Sequence, residues 1–427
     1  MITIKIRIMN FARGIPLLNS GKNVQTLRLL PWIVLISGVF LQTAVGGIYA
    51  WSTFVPHLVN YHGLSRGETG LIFGVQVLLF AVTTVPAGRL LERFGPRLIA
   101  SIGALLFGTG FILASFAGDS FPALLLSLGL TSGIGIGLVY VCPLTTGMKW
   151  FPKNRGLVTG AAVAGFGLGA ILLSQVAEFF LIKEGMTVYE VFRIVGFSFG
   201  GLAFFSALFL SFPKEKERTR TRVESNNDKK LILSPIFLVI AFGMFAGTFS
   251  GLLVSAHLKP FLLFQGASES AAVLAISLFA IGNTTGRLLW GIIHDKIGSR
   301  RSVLFSLGCL VAALGFLAIL ATQPTTLLIS PLIILIGFGF GGCFVIYVSA
   351  ITNVFGVNQM PKLYPICFVG YGVAALISPA AGGWLIDRFD SYTQAFSLSA
   401  VLITLAILFA WMIDRRQWTR PEVVKAP

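Results

Sequence analysis

The sequence predicts an all-α polytopic membrane protein, with twelve transmembrane helices in two six-helix pseudo-repeats. Three observations carry that prediction. Apolar runs of roughly 20 residues, the length that crosses hydrocarbon, recur along all 427 residues. Charged residues make up 11% of the chain against 55% hydrophobic, whereas soluble domains carry about 25% charged residues. Landmarks of the first half also return in the second at a nearly constant offset.

The apolar runs place spans near 31–55, 68–92, 97–117, 122–147, 155–181 and 190–211, then near 233–263, 268–293, 300–321, 325–350, 361–386 and 391–414. Turn residues separate most of them, as in "FGPR" (94–97), "FPKNRG" (151–156) and "IGSRR" (297–301). The exception, "PKEKERTRTRVESNNDKK" (213–230), is charged, lacks apolar periodicity and reads as a solvated linker. The expected organisation is a cytoplasmic tail over 1–30, a six-helix bundle over 31–211, a cytoplasmic linker over 212–232, a second bundle over 233–414 and a cytoplasmic tail over 415–427.

The halves resemble each other. "GRLLERFGPR" begins at Gly88 and "GIIHDKIGSRR" at Gly291, 203 residues later. "GFG" (165–167) matches "GYG" (370–372) at an offset of 205, Tyr140 matches Tyr347 at 207, and Ser174 matches Ser378 at 204. Parallel six-helix repeats with a site between them near the midplane are a transporter architecture.

The net charge of +16 does not require a nucleic-acid partner. Of 32 Lys and Arg residues, 26 fall in the tails and alternate loops, five lie near the opposite side (Arg66, Lys183, Arg193, Lys259, Arg388), and Arg287 lies within a span. That asymmetry follows the positive-inside rule and predicts both termini in the cytoplasm, in a prokaryotic cytoplasmic (inner) membrane. Contact with anionic headgroups follows from it. The basic stretch 1–30 lacks a cleavable signal-peptide pattern and reads as a tail.

Several function classes find no support. Cys142, Cys309, Cys343 and Cys367 lie in apolar runs without metal-ligand spacing, so neither metal nor cofactor is expected. A G-x-x-x-x-G-K-[ST] loop is missing, which argues against ATP as the driver. "GIGIG" (133–137) lies inside a span, where it reads as helix packing. Acids, His and Ser do not cluster at depth as an enzyme would need, and no span carries the regular polar stripe of a channel.

Arg287 is the residue that asks for an explanation. A charged side chain at bilayer depth costs from roughly 2.5–3.5 kcal/mol on insertion scales to 10–17 kcal/mol in simulations. Arginine cannot escape by losing its proton. Asn283, one turn back on the same face, is neutral, and Asp295 lies two turns on at the membrane edge. Glu178 and Asp387 fall towards outer helix ends. The matching positions of the first half hold Thr84 and Phe80, so the cation is not a repeated building element. A planar fork suits bidentate recognition of a carboxylate. The alternative is a structural arginine bonded to carbonyls or to an acid elsewhere.

The motifs also carry a resemblance. Gly88–Arg97 resembles the loop signature G-x-x-x-D-R-x-G-R-R between helices 2 and 3 of the major facilitator superfamily, with Glu92 in place of Asp. Gly291–Arg301 resembles its second-half copy, with Asp295 and Lys296 intact. "KWFPKNRGLVTGAAVAGFGLGA" (149–170) and "GGIYAWSTFV" (46–55) look like helices 5 and 1 of monocarboxylate and oxalate–formate transporters. The resemblance covers roughly residues 31 to 414. It implies that Arg287 matches an essential helix-8 arginine. Oxalate exchangers pair that arginine with a helix-11 lysine, where this chain has Tyr371. Animal monocarboxylate transporters have an Asp four residues before it and a Lys in helix 1, where this chain has Asn283 and, approximately, Thr53. Their proton site is therefore not carried over.

The expected function is secondary active, proton-coupled transport of a small monocarboxylate, with L-lactate or pyruvate as cargo. An oxalate–formate-type anion antiporter is the alternative, and a channel or membrane-embedded enzyme a remote one. Candidate cargo contacts are Arg287, Asn283, Tyr140, Tyr347, Tyr371, Tyr49 and Trp51, the aromatics being equally readable as packing. His257 is the candidate proton carrier, its ordinary pKa being near neutral. The alternative is an ordinary polar residue at the helix end. Glu92, Arg93, Arg97, Asp295, Lys296 and Arg300 form an expected cytoplasmic gate, and the same residues could serve topology alone. The expected partners are the anion, a proton and the bilayer, with the chain as a monomer.

Overall fold

The structure, a computed structural model, describes residues 24–151, 155–213, 228–320, 326–356 and 359–418. Most of the expected N-terminal tail, the centre of the linker and the end of the C-terminal tail lie outside the described residues.

Among the described residues, twelve helices are long and apolar enough to span a membrane. In the first half they are α1 (Leu29–Thr53), α2 (Arg66–Phe94), α3 (Pro96–Ala114), α4 (Phe121–Trp150), α5 (Ala164–Lys183) and α6 (Val188–Leu208). In the second they are α7 (Pro235–Phe264), α8 (Glu269–Ile297), α9 (Ser299–Leu320), α10 (Ile329–Phe355), α11 (Ile366–Phe389) and α12 (Thr393–Met412). Among the described residues there is no strand. Helices satisfy every backbone group internally, which hydrocarbon demands. Large side chains such as Phe205, Phe316, Trp384 and Trp411 stand exposed on the outside, where lipid replaces water.

Local sequence sets the helix ends. Ser65 and Glu68 form a capping box at the start of α2, the Glu68 amide donating to the Ser65 hydroxyl at 3.0 Å and the Ser65 amide to Glu68 at 2.8 Å. Thr187 and Glu190 do the same for α6. The two signature loops end their helices alike. Gly95 closes α2 at φ +83° and Gly298 closes α8 at φ +79°, conformations that side chains with a Cβ rarely adopt. These glycines lie 203 residues apart, the offset of the repeat itself.

The helices alternate in direction, so one face collects the α2–α3 and α8–α9 turns and the far face collects the starts of α2 and α8 and the end of α11. The halves meet where α2 packs along α11, α5 along α8, and the end of α1 against α7. Contact is closest near the far face. A Cβ on Gly70 of α2 would overlap the Pro379 carbonyl, and one on Gly383 of α11 would overlap the Arg66 carbonyl. By Gly372, the α11 neighbours are the Leu78 and Ala81 side chains. Nearer the signature turn, Gly88 has open space around it. The backbones of the two halves therefore come closest at the far face.

Gly70→Ala should force α2 and α11 apart, as backbone cannot yield like a side chain. The expected loss is about 1–3 kcal/mol, read as a lower midpoint of thermal unfolding in detergent than for Gly88→Ala.

Candidate substrate site

Arg287 and Asn283 lie one turn apart on the buried face of α8, and Arg287 Nε donates to Asn283 Oδ1 at 3.3 Å. Arg287 is 9% exposed and Asn283 3%. The guanidinium carbon sits 4.3 Å from the Phe344 ring centre on α10 and 6.0 Å from that of Phe166 on α5. Desolvated cation–π contact is worth about 2 kcal/mol, less than the cost of taking a full charge to that depth. The rings alone leave the charge under-compensated.

Hydroxyls supply part of the remainder. Those of Tyr140 (α4) and Tyr49 (α1) face the guanidinium, with Tyr371 (α11) beside them. The Tyr49 and Tyr371 hydroxyls share a hydrogen bond at 3.2 Å, which ties the halves together at the cluster. The Tyr140 ring stands edge-on to Phe80 at 5.0 Å and to Phe166 at 5.5 Å. Among the described residues, no carboxylate forms an ion pair with Arg287.

Close helix contacts assemble this cluster. Gly46 of α1 lies against the Phe166 carbonyl, and Gly167 of α5 against the Thr284 hydroxyl of α8. Beyond Gly46 the chain tightens into a 3-10 turn over Gly47–Thr53, which carries Tyr49.

Five of the sequence candidates thus converge: Arg287, Asn283, Tyr49, Tyr140 and Tyr371. Trp51 points elsewhere, its Nε1 donating to the Thr69 carbonyl at 3.1 Å and its ring stacked on Phe73. Tyr347 packs inside the second half with its hydroxyl beside Gly243. His257 is buried on α7 and bonds through Nε2 to the Pro379 carbonyl at 2.8 Å. A carbonyl can only accept, so Nε2 carries the proton. Nδ1 is then an acceptor, and it is buried without a partner.

The expected gate residues lie at the turn face. The Asp295 side chain is 86% exposed, with His294 Nδ1 at 3.7 Å. Arg300 donates to the Trp411 carbonyl at 2.7 Å, Arg93 lies over the Phe94 ring, and Glu92, Arg97 and Lys296 are exposed. At the far face Arg66 pairs with Asp387 at 3.1 Å, and buried Lys259 with Glu178 and Glu269 at 2.8 Å each. Sequence reasoning placed all of these charges except Glu269 near that side, without pairing them. It also missed Phe166 and Phe344, because nothing among 38 phenylalanines marks the two that face a cation.

A chain of twelve membrane helices in two repeats, with a buried polar cluster where they meet, is a membrane transporter in architecture. It belongs to the Major Facilitator Superfamily, whose family model matches residues 35–364. It is 27% identical over 395 residues to the oxalate:formate antiporter of Oxalobacter formigenes, covering 90% of this chain and 92% of that one. It is 25% identical over 421 residues to monocarboxylate transporter 12 of Xenopus laevis, covering 90% and 89%. A crystal structure of a D-xylose–proton symporter has the same fold, with a TM-score of 0.66 at 16% identity over 91% of this chain and 98% of that one.

The Tyr49–Tyr371 bond makes a measurable prediction. Removing one hydroxyl leaves the other without that partner, a cost of about 1–3 kcal/mol. Removing both strands neither. Thermal unfolding of Tyr49→Phe, Tyr371→Phe and the double variant should show the double less destabilised than the sum of the singles.

Proposed function

We propose that this transporter carries small monocarboxylates by alternating access, coupled to a proton, with L-lactate or pyruvate as cargo. The observation that carries the reading is a buried guanidinium paired with no carboxylate among the described residues. The anion supplies the missing charge. Arg287 binds the carboxylate through its fork, Asn283 orients that fork, and the hydroxyls of Tyr49, Tyr140 and Tyr371 donate to carboxylate oxygens or to a hydroxyl on the cargo. The names of the two relatives, one a monocarboxylate transporter and one an oxalate:formate antiporter, support a small organic anion.

His257 takes the proton at its open Nδ1, at the seam of α7 and α11. The turn face, with both termini, lies in the cytoplasm of the inner membrane, following the basic residues. The tight seam at the far face then closes the carrier to the outside. In the opposite conformation Glu92 and Asp295 latch the turn face against basic neighbours.

Labelled L-lactate uptake into proteoliposomes, with and without an imposed pH gradient, tests the reading. Arg287→Lys keeps the charge and loses the bidentate fork. Losing one charge-assisted hydrogen bond, about 1.5–3 kcal/mol, should lower uptake roughly ten- to a hundredfold. His257→Gln should keep counterflow and lose stimulation by the gradient. Uptake in Arg287→Lys at the wild-type rate and affinity would sink the assignment.

Selectivity follows from the charge count. A dicarboxylate brings two charges to a cluster with one cation, and Tyr371 offers a neutral hydrogen bond worth about 0.5–1.5 kcal/mol. Burying a second, unpaired charge costs several kcal/mol. Unlabelled oxalate should therefore displace lactate far less well than lactate does, and Tyr371→Lys should narrow the gap. Equal displacement by oxalate in the wild type would refute the one-cation argument.

A further inference from the structure

Lys259 is the most completely buried charge among the described ion pairs, its side chain 0% exposed. Two carboxylates meet it, and they come from different halves. Glu178 Oε2, at the far end of α5, takes an aligned hydrogen bond at 2.8 Å. Glu269 Oε2, in the first turn of α8, lies equally close at 2.8 Å but is not aligned to receive one. Glu269 thus holds hydrogen-bonding capacity in reserve. Lys259 and Glu269 belong to the same half, so only Glu178 leaves when the halves part. Its side chain is 14% exposed and that of Glu269 40%.

We propose that Glu178, Lys259 and Glu269 form a partner-exchange latch that closes the far face of the carrier. In the closed form Lys259 bridges the halves to Glu178. On opening, Glu178 moves into water with the first half, and the ammonium turns its hydrogen bond to Glu269. A buried ion deprived of its only partner opposes such a motion strongly. The second carboxylate removes that penalty, and repulsion between the two acids in the closed form favours release further. The Arg66–Asp387 pair also joins the halves, but its side chains are 29% and 32% exposed. Solvent screens such a pair, so it contributes less. His57 is the titratable neighbour on the short helix Val55–His62. Burial, and then Lys259, lower its pKa to about 4, so it adds no charge near neutral pH.

The latch rests on the proposed rocking of the halves, not on the identity of the cargo, and its test uses no cargo. The two carboxylates should act with opposite sign. A reporter cysteine replaces Ser52, buried on α1, in a background whose four native cysteines are Ala. It is labelled from the far face with a membrane-impermeant thiol reagent. Glu178→Gln and Lys259→Met should raise the labelling rate several-fold. Glu269→Gln should lower it below wild type, because opening would then strand Lys259. A second reporter at Ser306, buried in the core of α9, identifies folded variants, in which it stays unlabelled. If Glu178→Gln and Glu269→Gln shift labelling the same way in folded protein, or neither shifts it, the latch is wrong. If lactate uptake fails while the opposite signs hold, the cargo assignment falls and the latch stands.

Discussion

A guanidinium held between helices at bilayer depth cannot shed its proton and does not reach bulk water. Everything around Arg287 answers that constraint. Asn283 fixes its orientation, Phe344 and Phe166 give it π-faces, and tyrosines of α1, α4 and α11 surround it with neutral oxygen. None of these carries a negative charge. Compensation is partial, and under the proposed function the deficit is what an anion would fill. An acid at position 283 would remove that deficit.

The two halves treat charge differently at their two seams. Near the middle the contact is aromatic and neutral, apart from Arg287. At the far face it is ionic, and each ion pair between the halves draws its cation from one half and its anion from the other, with Arg66 and Glu178 in the first and Asp387 and Lys259 in the second. Glycines at Gly70 and Gly383 bring the backbones near enough for those pairs to form. The far seam is thus tight through both shape and charge, while the turn face holds exposed acids and bases.

Much of the fold was legible in the sequence because hydrocarbon leaves few solutions. Run length gave twelve spans whose ends differ from the structure by a few residues for most helices, and the offset between Gly88 and Gly291 returns in the matched caps at Gly95 and Gly298. Arg287 was legible because charge is rare at depth. The tyrosines were harder. Tyr140 and Tyr347 occupy matching places in the repeat, yet one faces Arg287 and the other packs against Gly243. Repeat position fixes depth along a helix, whereas the neighbours of that half decide what the side chain meets. The Lys259 cluster was illegible for a similar reason: Glu178 and Lys259 are 81 residues apart, and no local pattern joins them.

The Tyr49–Tyr371 hydrogen bond joins opposite halves within the cluster around Arg287. Under the proposed function, selection and closure would draw on the same two oxygens. An anion bound as proposed that took the donor's proton would break this rivet between the halves, whereas one met by the acceptor's free proton would leave it whole. In the first case the loaded carrier would be held at its centre by one hydrogen bond fewer than the empty one. Which proton the cargo takes would then set whether loading eases turnover.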